Sequence, residues 1–509
     1  MRFIKFVFSR FILVTFAILL EFALITATII YVNNLFFWAR IVGSVINALI
    51  FLKIVNKKQN PEFKLPWLFV MIAFPLLGAV LYSFIGRNNM PKSQVRYFKR
   101  IDTKCKNLSL KSNQLQAQVD LELGEFKGID NYLGSVVNAR AHINNKVSFF
   151  KTGEIFYEDL LKELNNAKKF IFLEYYIIEN GAMWEGIHKI LLDKIKQGVE
   201  VRLIYDDFGS IGKLMSSYHK KIQKEGINCH KFNTFKPILS GIHNNRDHRK
   251  IVVIDGEIAY TGGINIADEY VNIKKPFGHW KDTAVKIEGS ATANFTILFL
   301  QMFDLNTKNI SNYEKYVQLE FKEYNEKGCV NPFGCGPGPF YKELVAENNF
   351  LNIIASAKDY IYITTPYLII DYNLTIALKN ARLRGVDVRI ITPHIPDKKI
   401  VFNMTRSNYK SLLDAGVKIY EYTPGFIHSK QMVVDDKIGF VGTINLDYRS
   451  LAHHYECGVM LYKNPCIMNI KQDFDELFEV SQEITVKNFK MSKFVQLLNA
   501  LLSLFSSIF

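Results

Sequence analysis

Two short stretches of the chain carry the same chemical groups at the same spacing. His248, Lys250 and Asp255 form the first set, and His428, Lys430 and Asp435 form the second. Each set runs through apolar, β-branched residues (KIVVIDG and KQMVVDD). An extended backbone there puts His and Lys on one side, with Arg249 and Ser429 on the other. An imidazole beside an ammonium suits phosphodiester chemistry. The ring can attack phosphorus or protonate a leaving oxygen, while the ammonium neutralises a non-bridging oxygen. Each set is followed by a turn of small residues ending in asparagine: Gly262, Gly263 and Asn265, then Gly442, Thr443 and Asn445. Small residues let the backbone approach an anion, and the amides of Asn265 and Asn445 can donate to phosphate. A lone histidine on a strand is more often packed or at the surface. Duplication at matching places marks this pair as catalytic.

The duplication extends well beyond the motifs. AKKFIFLEYYII (167–178) matches AKDYIYITTPYLII (357–370), and QGVEVRLIYDD (197–207) matches RGVDVRIITPH (384–394). HRKIVVIDGEIAYTGGIN (248–265) matches HSKQMVVDDKIGFVGTIN (428–445). In each half, short continuous apolar runs alternate with amphipathic helical stretches such as EGIHKILLDKIKQG, the pattern of buried strands in an α/β sheet. The chain is thus expected to hold two pseudo-symmetric α/β/α halves, 145–325 and 326–480. A membrane-anchoring region (1–90) and a charged helical connector (91–144), with little apolar periodicity, precede them. An amphipathic segment, 481–509, either lies on a membrane or packs on the core.

Charge separates the front of the chain from the rest. The whole carries a formal +15, and residues 1–100 hold 13 Lys or Arg against two acids, Glu21 and Glu62. The same region contains apolar stretches at 11–32, 35–54 and 66–85, each close to the ~20 residues a helix needs to cross a bilayer. Basic clusters flanking apolar stretches fit an anionic membrane better than a nucleic-acid groove. The clusters after residues 1, 52 and 86 all ask for the cytoplasmic side, which three full spans cannot satisfy. One stretch is therefore expected to be re-entrant or interfacial, with Arg40 or Pro75 marking it. The six cysteines form no CxxC pair and read as reduced thiols, with Cys329 and Cys335 in a Gly/Pro-rich loop. His243, Asp247 and His248 lie close in sequence, but phosphohistidine chemistry needs no metal, so neither metal nor cofactor is expected. Glu174 and Tyr367, at equivalent strand ends, are possible pocket residues, and His453 and His454 possible rim residues.

The paired His-x-Lys-x4-Asp motifs with their GGxN and GTxN turns resemble the phospholipase D superfamily over roughly residues 145–475. LPWLFVMIAFPLLGAVLYSFIGRN, GGINIADEY, HWKDTAVKIEG and GTINLDYRSL are similar to segments of bacterial cardiolipin synthases. The resemblance implies that both halves share one active site, preceded by transmembrane helices in a bacterial plasma membrane. It implies transfer of a phosphatidyl group from one phosphatidylglycerol to another, giving cardiolipin and glycerol. Other phosphatidyl transfer or phospholipase D hydrolysis is the alternative, and a phosphodiester nuclease a more distant one. By the resemblance His248 attacks and His428 is the acid, although pseudo-symmetry allows the reverse. Lys250, Lys430, Asn265 and Asn445 would hold the phosphate. An acid downstream of each motif would orient its histidine, and Asp282 and Glu456 stand at the matching places. Asp255 and Asp435 complete the motifs but would be structural.

Overall fold

The computed structural model describes residues 19–507, apart from 21, 24–25, 32–36, 87–89, 113–115, 235–243 and 318–320. The first half is a mixed sheet of β1 (Lys146–Phe150), β2 (Phe170–Tyr175), β3 (Glu200–Asp206), β4 (Asn228–Phe232), β5 (Lys250–Ile254), β6 (Ile258–Gly262) and β8 (Ala284–Glu288). The short β7 (His279–Lys281) stands outside that sheet. Its spatial order is β1-β8-β6-β5-β2-β3-β4. β2, β3 and β4 run parallel, and the remaining pairs are antiparallel.

The second half contains β9 (Cys329–Cys335), β10 (Tyr360–Thr364), β11 (Leu368–Ile369), β12 (Asp387–Pro393), β13 (Lys418–Tyr422), β14 (Gly425–Ile427), β15 (Gln431–Val434), β16 (Ile438–Gly442), β17 (Leu446–Asp447), β18 (Glu456–Tyr462) and β19 (Ser481–Ile484). Its main sheet runs β19-β13-β12-β10-β15-β16-β18-β9. With β19 set aside, this is the first sheet's order strand for strand, so the sequence repeat is a structural repeat.

The motif strands show how the halves join. Ile251 and Val253 on β5, and Val433 on β15, enter one apolar core that draws on both halves, together with Val285, Val441 and Val459. Their neighbours Val252 and Ile254, and Met432 and Val434, turn into the separate outer core of their own half. Strands buried on both faces need continuous apolar sequence, which is why these runs show no alternation. The helix Thr292–Thr307 is buried almost throughout and stacks Phe299 on Phe172 at 4.6 Å within the shared core.

Asp255 and Asp435 lie at the far ends of β5 and β15, away from the histidines. Each sits in the left-handed region (φ 56° and 51°), which aspartate tolerates better than most residues. The Asp255 carboxylate accepts the N–H groups of Lys168, Lys169 and Phe170, and Asp435 those of Lys358, Asp359 and Tyr360. They tie the entry of β2 and β10 to the motif strands, so the motif aspartates belong to the scaffold and not to the reacting set.

Three expectations change. The connector is helical, but Phe98, Ile101, Cys105 and Leu108 form a buried stripe on the helix Lys92–Ser112, so it is part of the core. Cys329 and Cys335 bound a strand and not a loop; Pro332 is accommodated because β9 is the last strand of its sheet. All six cysteines are unpaired and buried.

The third expected span is broken. The helix Leu65–Ala73 stops at Phe74 (φ −137°, ψ 79°), because Pro75 has no N–H to continue the ladder and disfavours helical backbone before it. The chain then turns back so closely that a Cβ on Gly78 would lie 2.7 Å from the Met71 Cα. Among the described residues no helix is long and apolar enough to cross a membrane. Much of 11–32 lies outside the described residues. The loop 56–64 is fastened to the second half. Asn60 donates to Asp371 at 2.9 Å, the Tyr372 N–H and the Tyr448 hydroxyl donate to Glu62, and the Ser507 hydroxyl donates to the Glu62 carbonyl.

Replacing Asp255 or Asp435 by Ala strands three backbone donors and should destabilise the protein by about 2–3 kcal/mol in a denaturant titration. Unchanged stability in either variant would show that these loops are held by something else.

Candidate active site

Each motif histidine enters its strand from a short stretch paired with the opposite half. The His248 N–H donates to the Tyr455 carbonyl at 2.9 Å, and the His428 N–H donates to the Lys281 carbonyl at 2.7 Å. β14 pairs in parallel with β7, and Asp247 bridges to Tyr455 in the same sense. These seams bring the acid of one half against the histidine of the other. His248 Nδ1 lies 2.9 Å from both Glu456 oxygens, and His428 Nδ1 lies 2.6 Å from Asp282 Oδ2. Both expected acids thus meet a motif histidine, but the contacts are crossed. Each lies against the histidine of the partner motif.

A carboxylate only accepts, so in the neutral ring the proton sits on Nδ1 and the lone pair on Nε2. Nε2 of neither ring has a hydrogen-bond partner among the described residues. The carboxylates are themselves positioned. Glu456 accepts from the Thr443 hydroxyl and, at 2.7 Å, from Ser450. Asp282 has room because residue 263 is glycine; a Cβ there would lie 2.1 Å from Asp282 Oδ1. The small-residue turns therefore accommodate the orienting carboxylates. The amide of Asn265 is also committed, donating to the Tyr270 hydroxyl at 2.6 Å while its oxygen accepts from Ile177 N–H. Asn445 is buried beside Asp447 and leaves its oxygen unpartnered.

Lys250 and Lys430 are almost fully buried; Lys250 donates to the His248 carbonyl at 2.6 Å, and Lys430 Nζ lies 2.9 Å from His428 Nδ1. Burial lowers the Lys250 ammonium to about 8 and the Lys430 ammonium to about 7. Burial, reinforced by both lysines, holds His248 well below the usual imidazole range, and burial and Lys430 bring His428 to about 4 despite Asp282. Two neutral imidazoles therefore face a site poised to gain positive charge when an anion enters.

Several neighbours were not apparent from the motifs. Tyr176 packs on His248 at 4.9 Å, and Tyr270 and Trp280 on His428 at 5.4 Å. His454 packs on His248 at 5.5 Å. Trp280 stands two residues before Asp282, as His454, already expected at the pocket rim, stands two before Glu456, so aligning the repeat about the two acids would have found it. His454 is buried with its Nδ1 3.6 Å from Glu456 Oε1 and neither ring nitrogen in a hydrogen bond, and burial holds it at about 3. His248, His454 and Glu456 place ligand-type atoms within 4.8 Å of one another. The neighbouring Lys250, Lys430 and Arg449 oppose a cation there. Glu174 is fully buried behind His248 instead of lining the pocket; burial and Asp247 push its carboxyl well up. Tyr367 is turned to Asp397, to which its hydroxyl donates at 2.6 Å. His453 meets the Ser507 carbonyl at 3.1 Å, and His243 lies outside the described residues.

The family model described as "Cardiolipin synthase, PLD-like domain" matches residues 160–293 and 350–478, a span that takes in both histidines and both acids. The cardiolipin synthase of Halalkalibacterium halodurans is 33% identical over 484 residues, covering 92% of this chain and 95% of its own. The chain belongs to the cardiolipin synthase family. A cardiolipin synthase of Staphylococcus aureus is 35% identical over 82% of this chain and 85% of its own length. Residues 45–87 match a second family model, "Phospholipase D-nuclease N-terminal". The crystal structure of phosphatidylserine synthase from Haemophilus influenzae aligns with a TM-score of 0.56 at 14% identity. It covers 76% of this chain and 98% of that one, a likeness of fold.

The crossed pairing can be tested without turnover, by mapping diethyl pyrocarbonate modification of individual histidines. Glu456→Gln should slow modification of His248 by about tenfold, the cost of a lost charge-assisted hydrogen bond, and leave His428 unchanged. Asp282→Asn should do the opposite. The reverse assignment in both variants would contradict the geometry.

Proposed function

We propose that this chain is a phosphatidyltransferase that converts two molecules of phosphatidylglycerol into cardiolipin and glycerol. The observation that carries the reading is the pair of carboxylate-oriented imidazoles, each with an open Nε2 and a buried lysine, in a member of the cardiolipin synthase family.

In the first step, His248 Nε2 attacks phosphorus of the donor lipid. A P–N bond forms as the bond from phosphorus to the glycerol headgroup oxygen breaks. Lys250 and Lys430 neutralise the non-bridging oxygens, and Glu456 supports the positive charge that His248 acquires. The leaving oxygen takes its proton from His428, which the bound phosphodiester anion makes easier to protonate, with Asp282 supporting the imidazolium. In the second step, His428 removes the proton from the terminal hydroxyl of a second phosphatidylglycerol. That oxygen attacks phosphorus, the P–N bond breaks, and cardiolipin leaves. One phosphodiester replaces another, so no nucleotide is required. Asn265 acts by holding the turn beside the site, through Tyr270 and the Ile177 N–H.

The apolar segments before residue 55 anchor the enzyme in the cell membrane, where both substrates reside. The loop 56–64 binds the catalytic body, so both lie on one side of that membrane, the basic side set by Lys53, Lys57, Lys58 and Lys64. The broken stretch 65–86 is re-entrant.

Purified protein in phosphatidylglycerol vesicles should release glycerol and cardiolipin in equal amounts. His248→Ala and His428→Ala should each lose at least about 10³-fold. Phosphatidic acid as the main product would instead make the enzyme a hydrolase. The lysines must be charged to hold phosphate, so kcat/KM should fall as pH rises through about 7 to 8. Lys430→Arg should move that alkaline limb upward, and an unmoved limb would exclude Lys430 as its source.

A further inference from the structure

A cavity of about 1500 Å³ lies apart from the two motif histidines, neither of which lines it. It lies between the loop 56–64, the second catalytic half and the C-terminal end of the chain, with Glu62, Tyr341, His453 and Ser507 in its wall. We propose that this cavity binds the headgroup of an anionic phospholipid, at a site separate from the two histidines.

Lys53, Lys57, Lys58 and Lys342 line it beside Glu62, Glu343 and Glu347, and none of the four lysines forms an ion pair among the described residues. The carboxylates around them are largely occupied. Glu62 accepts from the Tyr448 hydroxyl and the Tyr372 N–H. Glu347 accepts from the Asn373 amide at 3.2 Å, and burial beside Asp371 raises its carboxyl to about 7. Glu343 is the remaining carboxylate of the lining. All four are exposed, and with the carboxylates largely occupied they leave a local excess of positive charge that attracts anions. Partial burial and the neighbouring Lys64 lower the Lys57 ammonium.

The other wall is apolar. Trp67, Tyr82 and Ile85 line it, with Trp67 and Tyr82 in edge-to-face contact at 5.4 Å. Trp67 belongs to the helix Leu65–Ala73, whose opposite side leaves Leu65, Phe69 and Ile72 exposed. Phe69 meets Phe505, and the helix Lys493–Leu504 beside it leaves Phe494, Leu497 and Leu501 exposed. A cavity with four unpaired lysines, one helix away from a bare apolar surface, matches a molecule with an anionic head and an acyl tail. A soluble phosphate would use only the lysines and would leave most of the volume unfilled. The proposal does not depend on the transfer reaction, because binding here needs no turnover.

The test uses the full chain carrying Trp38→Phe and His428→Ala, so that Trp67 is the tryptophan nearest lipid and nothing turns over. In phosphatidylcholine vesicles, phosphatidylglycerol with brominated acyl chains should quench Trp67 emission at least about twofold more than brominated phosphatidylcholine does. Combining Lys57→Gln, Lys58→Gln and Lys342→Gln should remove that preference while leaving the unfolding midpoint unchanged. Equal quenching by both lipids in the parent protein would overturn the proposal. So would a preference that survives the triple substitution. Relief of quenching by millimolar inorganic phosphate would make this a soluble-anion site instead. Because the readout is binding in a variant without His428, its failure would leave the catalytic reading intact, and the converse holds too.

Discussion

The proposed chemistry of this molecule depends on two short hydrogen bonds that cross from one half to the other. Glu456 holds His248, and Asp282 holds His428. Neither half is therefore a complete site. Each contributes a histidine that hydrogen-bonds to a carboxylate of the other half, 208 residues away in the chain for His248 and 146 for His428. The shared apolar core follows from this requirement. Ile251, Val253 and Val433 must bury their side chains between the sheets for the seams at Tyr455 and Lys281 to form. The motif aspartates serve the same end from the far side, fixing the strand entries so that β5 and β15 are rigid where the histidines leave them.

The second constraint is electrostatic. Two ammoniums buried beside two imidazoles are unfavourable in an empty site, and the lowered lysines express that cost. A phosphodiester anion relieves it, so the site is complementary to negative charge and becomes more so as charge accumulates on the oxygens around phosphorus. The first half adds a layer with no counterpart in the second. Arg249 and Glu174 lie 3.9 Å apart behind His248, where Ser429 and Thr364 make a neutral hydrogen bond behind His428. The pseudo-symmetry of the backbone is thus broken in the chemistry beneath each ring.

Much of this was legible in the sequence, because the repeat is written in local segments. The strand runs 167–178 and 357–370 and the paired motifs specified two like sheets, and the family resemblance pointed to Asp282 and Glu456. What could not be read depends on how distant segments meet. The crossing of the acids is a property of docking, invisible to spacing. The glycine at 263 suggested an approaching anion, when the group approaching is the Asp282 carboxylate. The stripe Phe98, Ile101, Cys105 and Leu108 was hidden by the lysines and arginines on the other faces of its helix. The break at Phe74 had a visible cause in Pro75, but only the contact of Gly78 with Met71 shows the chain turning back there.

In the proposed mechanism one phosphatidyl group passes through a covalent bond to a histidine held by the opposite half. Phosphorus-labelled phosphatidylglycerol, mixed with Asp282→Asn protein and quenched in alkali, where a phosphohistidine survives, allows the labelled peptide to be isolated. The account predicts label on the peptide containing His248, with slowed discharge because His428 has lost its orienting acid. Label on any residue other than the two motif histidines, or turnover with no labelled peptide at any time, would contradict it.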